Sequence, residues 1–316
     1  MSRLLQIDDS PERRTAGGAD PAAAPASRRD PERPPWLRVR YRQTPELERV
    51  QGLVQGLALH TVCHSAACPN LPECWASGTA TFMIGGELCT RRCGFCDVQT
   101  GRPDPLDAGE PRRVAEAIRT LGLRFAVVTA VARDDLRDGG AAHFAAVLEE
   151  VHALAPDCRV EVLIPDFKGR EEDLCTVLDA APDVLNHNVE TVERLQRRVR
   201  PAAKYARSLD LLEAARRLRP EIPTKTGIML GLGETEAEIR QTLVDIRARG
   251  CELITIGQYL RPGPDHLPVE RWVPPEEFAR WEAEARTLGF SDVASGPLVR
   301  SSYRAERLAG PADTAR

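Results

Sequence analysis

Nine cysteines are spread very unevenly along the 316 residues: six lie between Cys63 and Cys96, where even scatter would place about one. They form two triplets. Cys89-Thr-Arg-Arg-Cys93-Gly-Phe-Cys96 has the spacing C-x3-C-x2-C, and Cys63-His-Ser-Ala-Ala-Cys68-Pro-Asn-Leu-Pro-Glu-Cys74 the spacing C-x4-C-x5-C. Three thiolates on one short loop suit an iron–sulfur cube, in which each cysteine binds a different iron. No fourth ligand stands near Cys96, so one iron would stay open to a small molecule. The alternative is zinc, which takes four tetrahedral ligands, commonly in two close pairs, and could use Cys63, Cys68, His60 or His64. Two triplets fit that pairing poorly. An odd cysteine count in a large chain with no visible export signal argues against a disulfide framework.

A parallel α/β sheet is expected to position these loops. From Thr79 onward, short β-rich runs (79–84, 125–131, 160–164, 184–187, 226–230 and 253–257) alternate with amphipathic stretches (112–121, 141–153, 171–180, 208–218 and 236–249). Strands separated by crossover helices of this size pair in parallel. Six such units predict an α/β fold of the partial (β/α)6 TIM type, with a doubly wound open sheet as the main alternative. A further helix is expected near 275–288, followed by a short extended end. In a βα barrel the loop of Cys89, Cys93 and Cys96 follows the first strand and lies at the C-terminal face, where active sites are built.

The spacing of Cys89, Cys93 and Cys96, with Phe95 before the last cysteine, resembles the signature of radical S-adenosylmethionine (SAM) enzymes. Most of 36–303 resembles the lipoyl synthase family. The matching segments include Cys68-Pro-Asn-Leu-Pro-Glu-Cys74-Trp75, Gly78-Thr-Ala-Thr-Phe-Met, Cys89 through Asp97, and Arg133-Asp134-Asp135-Leu136 with Asp138-Gly139-Gly140. Others are Asn186-His187-Asn188-Val189-Glu190-Thr191, Gly231-Leu232-Gly233-Glu234, Tyr259-Leu260-Arg261-Pro262 and Arg300-Ser301-Ser302-Tyr303. Departures are small: His64-Ser65 replaces residues often acidic in the family, and Ala132 replaces the Asp that usually precedes Arg133.

The resemblance implies a sulfurtransferase that inserts two sulfur atoms at carbons 6 and 8 of a protein-bound octanoyl group. It implies SAM and two 4Fe-4S clusters as cofactors. Cys89, Cys93 and Cys96 would hold the cluster that binds SAM and cleaves it reductively, and the resulting 5′-deoxyadenosyl radical abstracts hydrogen from unactivated carbon. Cys63, Cys68, Cys74 and Ser301 would hold an auxiliary cluster that donates sulfur. A hydroxyl is a poorer partner for iron than a thiolate, which would ease release of one iron as that cluster is dismantled. The partners implied are an octanoylated lipoyl carrier protein or domain, such as the glycine cleavage H protein or the E2 subunits of 2-oxoacid dehydrogenases. An electron donor such as flavodoxin or ferredoxin, and an iron–sulfur carrier protein, complete the set.

The expected organisation is a disordered tail at 1–35, an auxiliary-cluster lobe at 36–78, the barrel at 79–260 and a C-terminal extension at 261–316. The N-terminal and C-terminal extensions would together hold the auxiliary cluster. The tail assignment rests on composition: six Pro, six Ala, six Arg and six acidic residues with few large apolar side chains.

Several residues have two readings. Gly231, Gly233 and Glu234 either contact SAM or form a strand-to-helix turn. Asn188 and Glu190 either hold the ribose or the methionine amine of SAM or cap the next helix. Thr129 and Asp134 carry the same ambiguity, and Arg133 is expected near the surface. Cys158, Cys175 and Cys251 read as small core residues, and His143 and His152 as structural. The run Arg197-Arg198-Val199-Arg200 reads as a solvated face on which an acidic carrier domain could dock.

Basic and acidic residues, 43 against 47, nearly cancel, which leaves no general footprint for nucleic acid or an anionic membrane. No apolar run approaches the length of a membrane span, and the expected location is the cytoplasm. Only Lys168, Lys204 and Lys225 are lysines, a bias that most simply reflects G+C-rich coding.

Overall fold

The computed structural model describes residues 30–38, 45–57, 59–61, 70, 79–303 and 305–308. The expectations for Cys63, Cys68, Cys74 and residues 1–29 therefore lie outside the described residues. In chain order the elements are α1 (Pro45–Gly56), β1 (His60–Thr61), β2 (Thr79–Ile84), α2 (Glu110–Leu121), β3 (Phe125–Ala130), α3 (Ala141–Leu154), β4 (Arg159–Leu163), α4 (Glu171–Asp179), β5 (Val184–Asn186), α5 (Gln196–Val199), α6 (Tyr205–Leu218), β6 (Thr224–Leu230), α7 (Glu236–Ala248), β7 (Leu253–Gln258), α8 (Pro275–Thr287), β8 (Asp292–Gly296) and α9 (Ala305–Leu308).

All eight strands form one sheet in sequence order, β1 through β8. Strand β1 joins β2 antiparallel, and every later pair is parallel. An order without reversal excludes the doubly wound sheet, because right-handed crossovers then place every helix on the same face. A twisted sheet covered on one face alone curls around the other, which is the partial barrel. No helix among the described residues is long and apolar enough to cross a membrane.

The two faces of the sheet are chemically distinct. Ala80, Phe82, Ile84, Ala126, Val128, Val160 and Val162 point outward into a core with Val114, Ile118, Phe144, Val147 and Leu178 of the helices. A second core joins Ile228, Leu230, Ile254 and Ile256 to Ile239, Leu243, Phe278 and Trp281. On the inner face, register places Thr81 beside Val127 and Val127 beside Glu161. Glu161 accepts from Lys225 Nζ at 2.8 Å and from Asn186 Nδ2 at 2.7 Å, all three wholly buried. Ala305 of α9 packs against Phe125 and Val127, so the C-terminal segment fills part of the interior.

Helix boundaries follow local chemistry. Helix α2 has Pro at its start and stops at Gly122, whose φ of 62° lets its N–H return to Arg119 and Ile118. Helix α7 opens with a capping box between Thr235 and Glu238.

Three sequence expectations change. Residues 30–35, assigned to a disordered tail, include two anchors: Asp30 Oδ1 accepts from Val269 N at 3.0 Å, and the Pro31 carbonyl from Trp272 Nε1 at 2.9 Å. Val50, Val54 and Leu59 join the barrel core, so this part of 36–78 is attached to the barrel and does not stand apart. Strand β8 extends the sheet beyond the six units expected, its Val293 and Ala294 paired with Ile254 and Thr255.

Candidate active site

The loop after β2 carries Cys89, Cys93 and Cys96, and it is fastened at both ends. It leaves the strand through Gly85 and Gly86, with φ of 82° and 99° that only glycine adopts without strain. Gly85 N and His143 Nε2 both donate to Glu110 Oε2, at 2.8 and 2.6 Å. Further on, Cys89 N bonds to Gln99 O at 2.8 Å and Gly101 N to Cys89 O at 3.0 Å. The Cys89 sulfur accepts from Ala132 N at 3.3 Å and Arg91 N at 3.4 Å. Burial pushes the Cys93 thiol up to about 12, against the pull of Arg200, and Cys96 up to about 11. Metal binding would be needed to hold these two as thiolates.

Among the described residues, no three His, Cys, Asp or Glu side chains converge on a single ion. His60, a zinc candidate, instead has Nδ1 3.3 Å from Glu87.

The loop carries a buried arginine. Arg91 donates to both oxygens of Asp134, at 2.6 and 2.8 Å, and to Asp166 Oδ1 at 2.6 Å. Burial opposes ionisation of Asp166, but the Arg91 contact outweighs it and holds the carboxyl down to about 2. On the opposite side, Gly94 N bonds to Val199 O and Leu267 N to Gly94 O, both at 2.9 Å. His266 Nε2 lies 3.1 Å from the Cys96 carbonyl.

Facing the cysteines, Glu190 has a φ of 68°, and its Oε1 accepts from Asn188 Nδ2 at 3.0 Å. Burial raises the Glu190 carboxyl, and Arg200 opposes that shift. Asn188 Oδ1 is buried without a protein partner. Gly227 leaves room for it, since a β carbon there would lie 2.9 Å from that oxygen. A buried acceptor and a buried carboxylate beside three thiols form a polar cradle suited to the amine of a ligand on the open iron. This donor set fits a 4Fe-4S cluster with SAM.

The comparisons agree with this geometry. The Radical SAM superfamily model matches residues 83–246. Lipoyl synthases of Frankia casuarinae and Mycobacterium avium are 58% and 55% identical, each covering 90% of this chain and 85% and 92% of the relative. The chain belongs to the lipoyl synthase family. A lipoyl synthase of Methylococcus capsulatus, 56% identical over 88% of this chain and 86% of its own, agrees. Among solved structures, methylornithine synthase matches with a TM-score of 0.52 at 11% identity, over 80% of this chain and 79% of that one, and supports the fold alone.

Within this lipoyl synthase fold, the remaining sequence-predicted residues sort by their contacts. Glu234 accepts from Gly231 N at 2.6 Å and Leu232 N at 2.9 Å, the contacts of a strand-to-helix turn. Gly231 is obligatory there, with a φ of 100° and a β carbon that would fall 2.7 Å from the Arg271 carbonyl. Thr129 Oγ1 donates to Leu163 O at 2.9 Å. The capping alternative for Asn188 and Glu190 fails, because the next helical turn begins at Glu193 without a side-chain cap.

Arg133 is a correction: it is 3% exposed, not superficial, and donates to the Gly85 and Asp104 carbonyls at 2.9 Å each. The run 197–200 is likewise no uniform basic face. Arg200 is buried on the Asn188 and Val189 carbonyls, and Arg198 pairs with Glu270. Cys158 and Cys251 are buried as expected, whereas Cys175 is only half-buried.

Ser301 sits in a turn after β8, closed by Tyr303 N on Arg300 O at 3.0 Å. Three residues earlier, the Leu298 carbonyl accepts from Asn70 Nδ2 at 2.5 Å, across 228 positions of sequence. Asn70 lies between Cys68 and Cys74. Sequence reasoning missed Asp166 and His266 and read Arg200 only as part of a solvated face; all three lie far from the cysteines in sequence. Arg91, inside the motif itself, was the one legible signal.

Proposed function

We propose that Cys89, Cys93 and Cys96 hold a 4Fe-4S cluster that binds SAM, and that Cys63, Cys68, Cys74 and Ser301 hold a second, auxiliary cluster that donates sulfur. The activity is that of a lipoyl synthase: sulfur insertion at carbons 6 and 8 of an octanoyl group, carried on a lipoyl protein or domain. The chemistry supplied at the Cys89 loop when cluster and SAM are bound is hydrogen abstraction from unactivated carbon, which no side chain could perform. The chain's own residues orient and shield. Asn188 and Glu190 offer acceptors to the SAM amine, while Gly227 and Gly257 let Asn188 and the Val299 carbonyl approach the sheet closely. Thr129, at the end of β3, stands at the mouth where the rest of SAM would lie, whereas Asp134, Gly231 and Glu234 shape its rim, Asp134 by holding Arg91 and Glu234 by closing its own turn on Gly231.

The Asn70–Leu298 hydrogen bond carries the two-cluster reading, because it ties the first cysteine segment to the turn that bears Ser301. Flavodoxin or ferredoxin is the proposed electron donor, an iron–sulfur carrier protein the source of new clusters, and the cytoplasm the location.

The test is an anaerobic assay on single variants. Cys89→Ala, Cys93→Ala and Cys96→Ala should abolish cleavage of SAM to 5′-deoxyadenosine. Cys63→Ala, Cys68→Ala, Cys74→Ala and Ser301→Ala should keep that cleavage while losing lipoyl product, with Ser302→Ala milder. Equal loss of SAM cleavage in both sets, or full product from Ser301→Ala, would overturn the assignment.

A further inference from the structure

Arg91 lies between two of the cysteines proposed above, and its guanidinium is spanned by two carboxylates from different βα loops: Asp134 after β3 and Asp166 after β4. Asp166 is wholly buried and is itself held on every side. Its Oδ2 accepts from Arg207 Nη1 at 3.0 Å, its Oδ1 from Lys168 N at 3.1 Å, and its carbonyl from Gly169 N at 2.8 Å.

The backbone that achieves this is strained. Phe167, Lys168 and Gly169 take φ of 41°, 55° and 81° in succession, and two adjacent non-glycine residues in the left-handed region are uncommon. Such strain persists only where surrounding contacts enforce it. Here the turn folds Lys168 N back onto Asp166 Oδ1 and sends Lys168 Nζ to the Asp134 carbonyl at 2.9 Å, linking the two clamping loops.

We propose that Asp166 is a positioning residue for the cysteine loop, acting through Arg91: the two carboxylates fix the arginine, and the arginine fixes the spacing of Cys89 and Cys93. The inference rests on the functional reading above. Residues that orient metal ligands from behind matter about 10–100-fold for metal affinity or activity. The clamp also explains why lysine would not serve at position 91, since only a planar fork reaches both carboxylates.

The experiment is a double-mutant cycle on the anaerobically reconstituted full chain. Its readout is the SAM-dependent change in the electron paramagnetic resonance signal of the reduced cluster, and the rate at which a chelator removes that signal. Asp166→Asn and Arg91→Met should each speed loss of the signal by roughly 10-fold, and the double variant should be no faster than the worse single one. Arg91→Lys, which keeps charge but cannot span both carboxylates, should resemble Arg91→Met. Wild-type retention by Asp166→Asn or Arg91→Lys, or multiplied effects in the double variant, would overturn the inference. A wild-type chain that takes up no cluster at this loop would instead overturn the functional reading, and the inference with it.

Discussion

Leu267 and Gly94 meet face to face: the Leu267 N–H bonds to the Gly94 carbonyl at 2.9 Å, and a β carbon on Gly94 would lie 2.9 Å from Leu267 Cγ and Cδ1. The segment after β7 thus presses directly on the cysteine loop. Together with Arg91 on the other side, this contact leaves the three cysteines little freedom to move before metal arrives.

Gly94→Ala should therefore push Leu267 away and loosen the loop. The expected loss is roughly 10-fold in SAM cleavage, with lower iron retention. Leu267→Ala in the same chain should restore most of it by vacating the space. A Gly94→Ala chain with normal iron content and cleavage rate would contradict the close fit.

Gly257, near the end of β7, faces the Val299 carbonyl, which would stand 2.2 Å from an added β carbon. Gly257→Ala must displace the turn that carries Ser301. Lipoyl formation should drop roughly 100-fold, the penalty of a misplaced reacting group, while SAM cleavage continues. Parallel assays of 5′-deoxyadenosine and lipoyl product decide the matter, and equal decline of both would point to general damage.

His187 introduces a pH dependence. Its ring is buried, with Nδ1 2.9 Å from the Ile164 carbonyl and Nε2 2.9 Å from Ser208 Oγ, so Nδ1 carries the proton and Nε2 accepts. Burial, aided by Arg200, lowers its pKa from 6.5 to about 4. Between those values the unfolded chain binds a proton that the folded chain does not. Stability is therefore full above about pH 6.5 and falls toward pH 4, by up to roughly 3 kcal/mol. Anaerobic denaturant titrations should show this slope in the wild type and a flatter one in His187→Gln. Matching slopes would remove His187 as the cause.

The Glu161–Lys225 pair lies inside the barrel with neither side chain exposed. Lys225→Met would strand the Glu161 carboxylate and should destabilise the fold by about 3–5 kcal/mol. Replacing both partners with apolar residues should recover much of that loss. Denaturation midpoints of the single and double variants test this, and a harmless Lys225→Met would show that water reaches the pair.

Much of the architecture was legible because it rests on local periodicity. Strand β2 runs over Thr79–Ile84 as expected, and helices α2, α3, α4, α6 and α7 depart from the expected ranges by three residues or fewer at either end. The short strand β8 was not legible: Asp292–Gly296 has no apolar alternation, and it is a strand only because β7 offers a free edge. Ionic partners were equally hidden. Nothing near Arg133 in sequence reveals that it is drawn under the Gly85 carbonyl, 48 positions away.

The sequence by itself determined which chemistry this protein carries. Cysteine count, spacing and the neighbouring motifs are properties of the chain, and they pointed to clusters and SAM without any knowledge of shape. Only the tertiary structure decided which polar residues face the cysteines and which serve the scaffold. Glu190 and Glu234 are both glutamates after barrel strands, yet one faces the thiols beside an acceptor with no protein partner, while the other spends both oxygens on the backbone of its own turn. The difference lies in burial and in distances between residues far apart in sequence, and those exist only once the sheet has curled and brought its loops to one mouth.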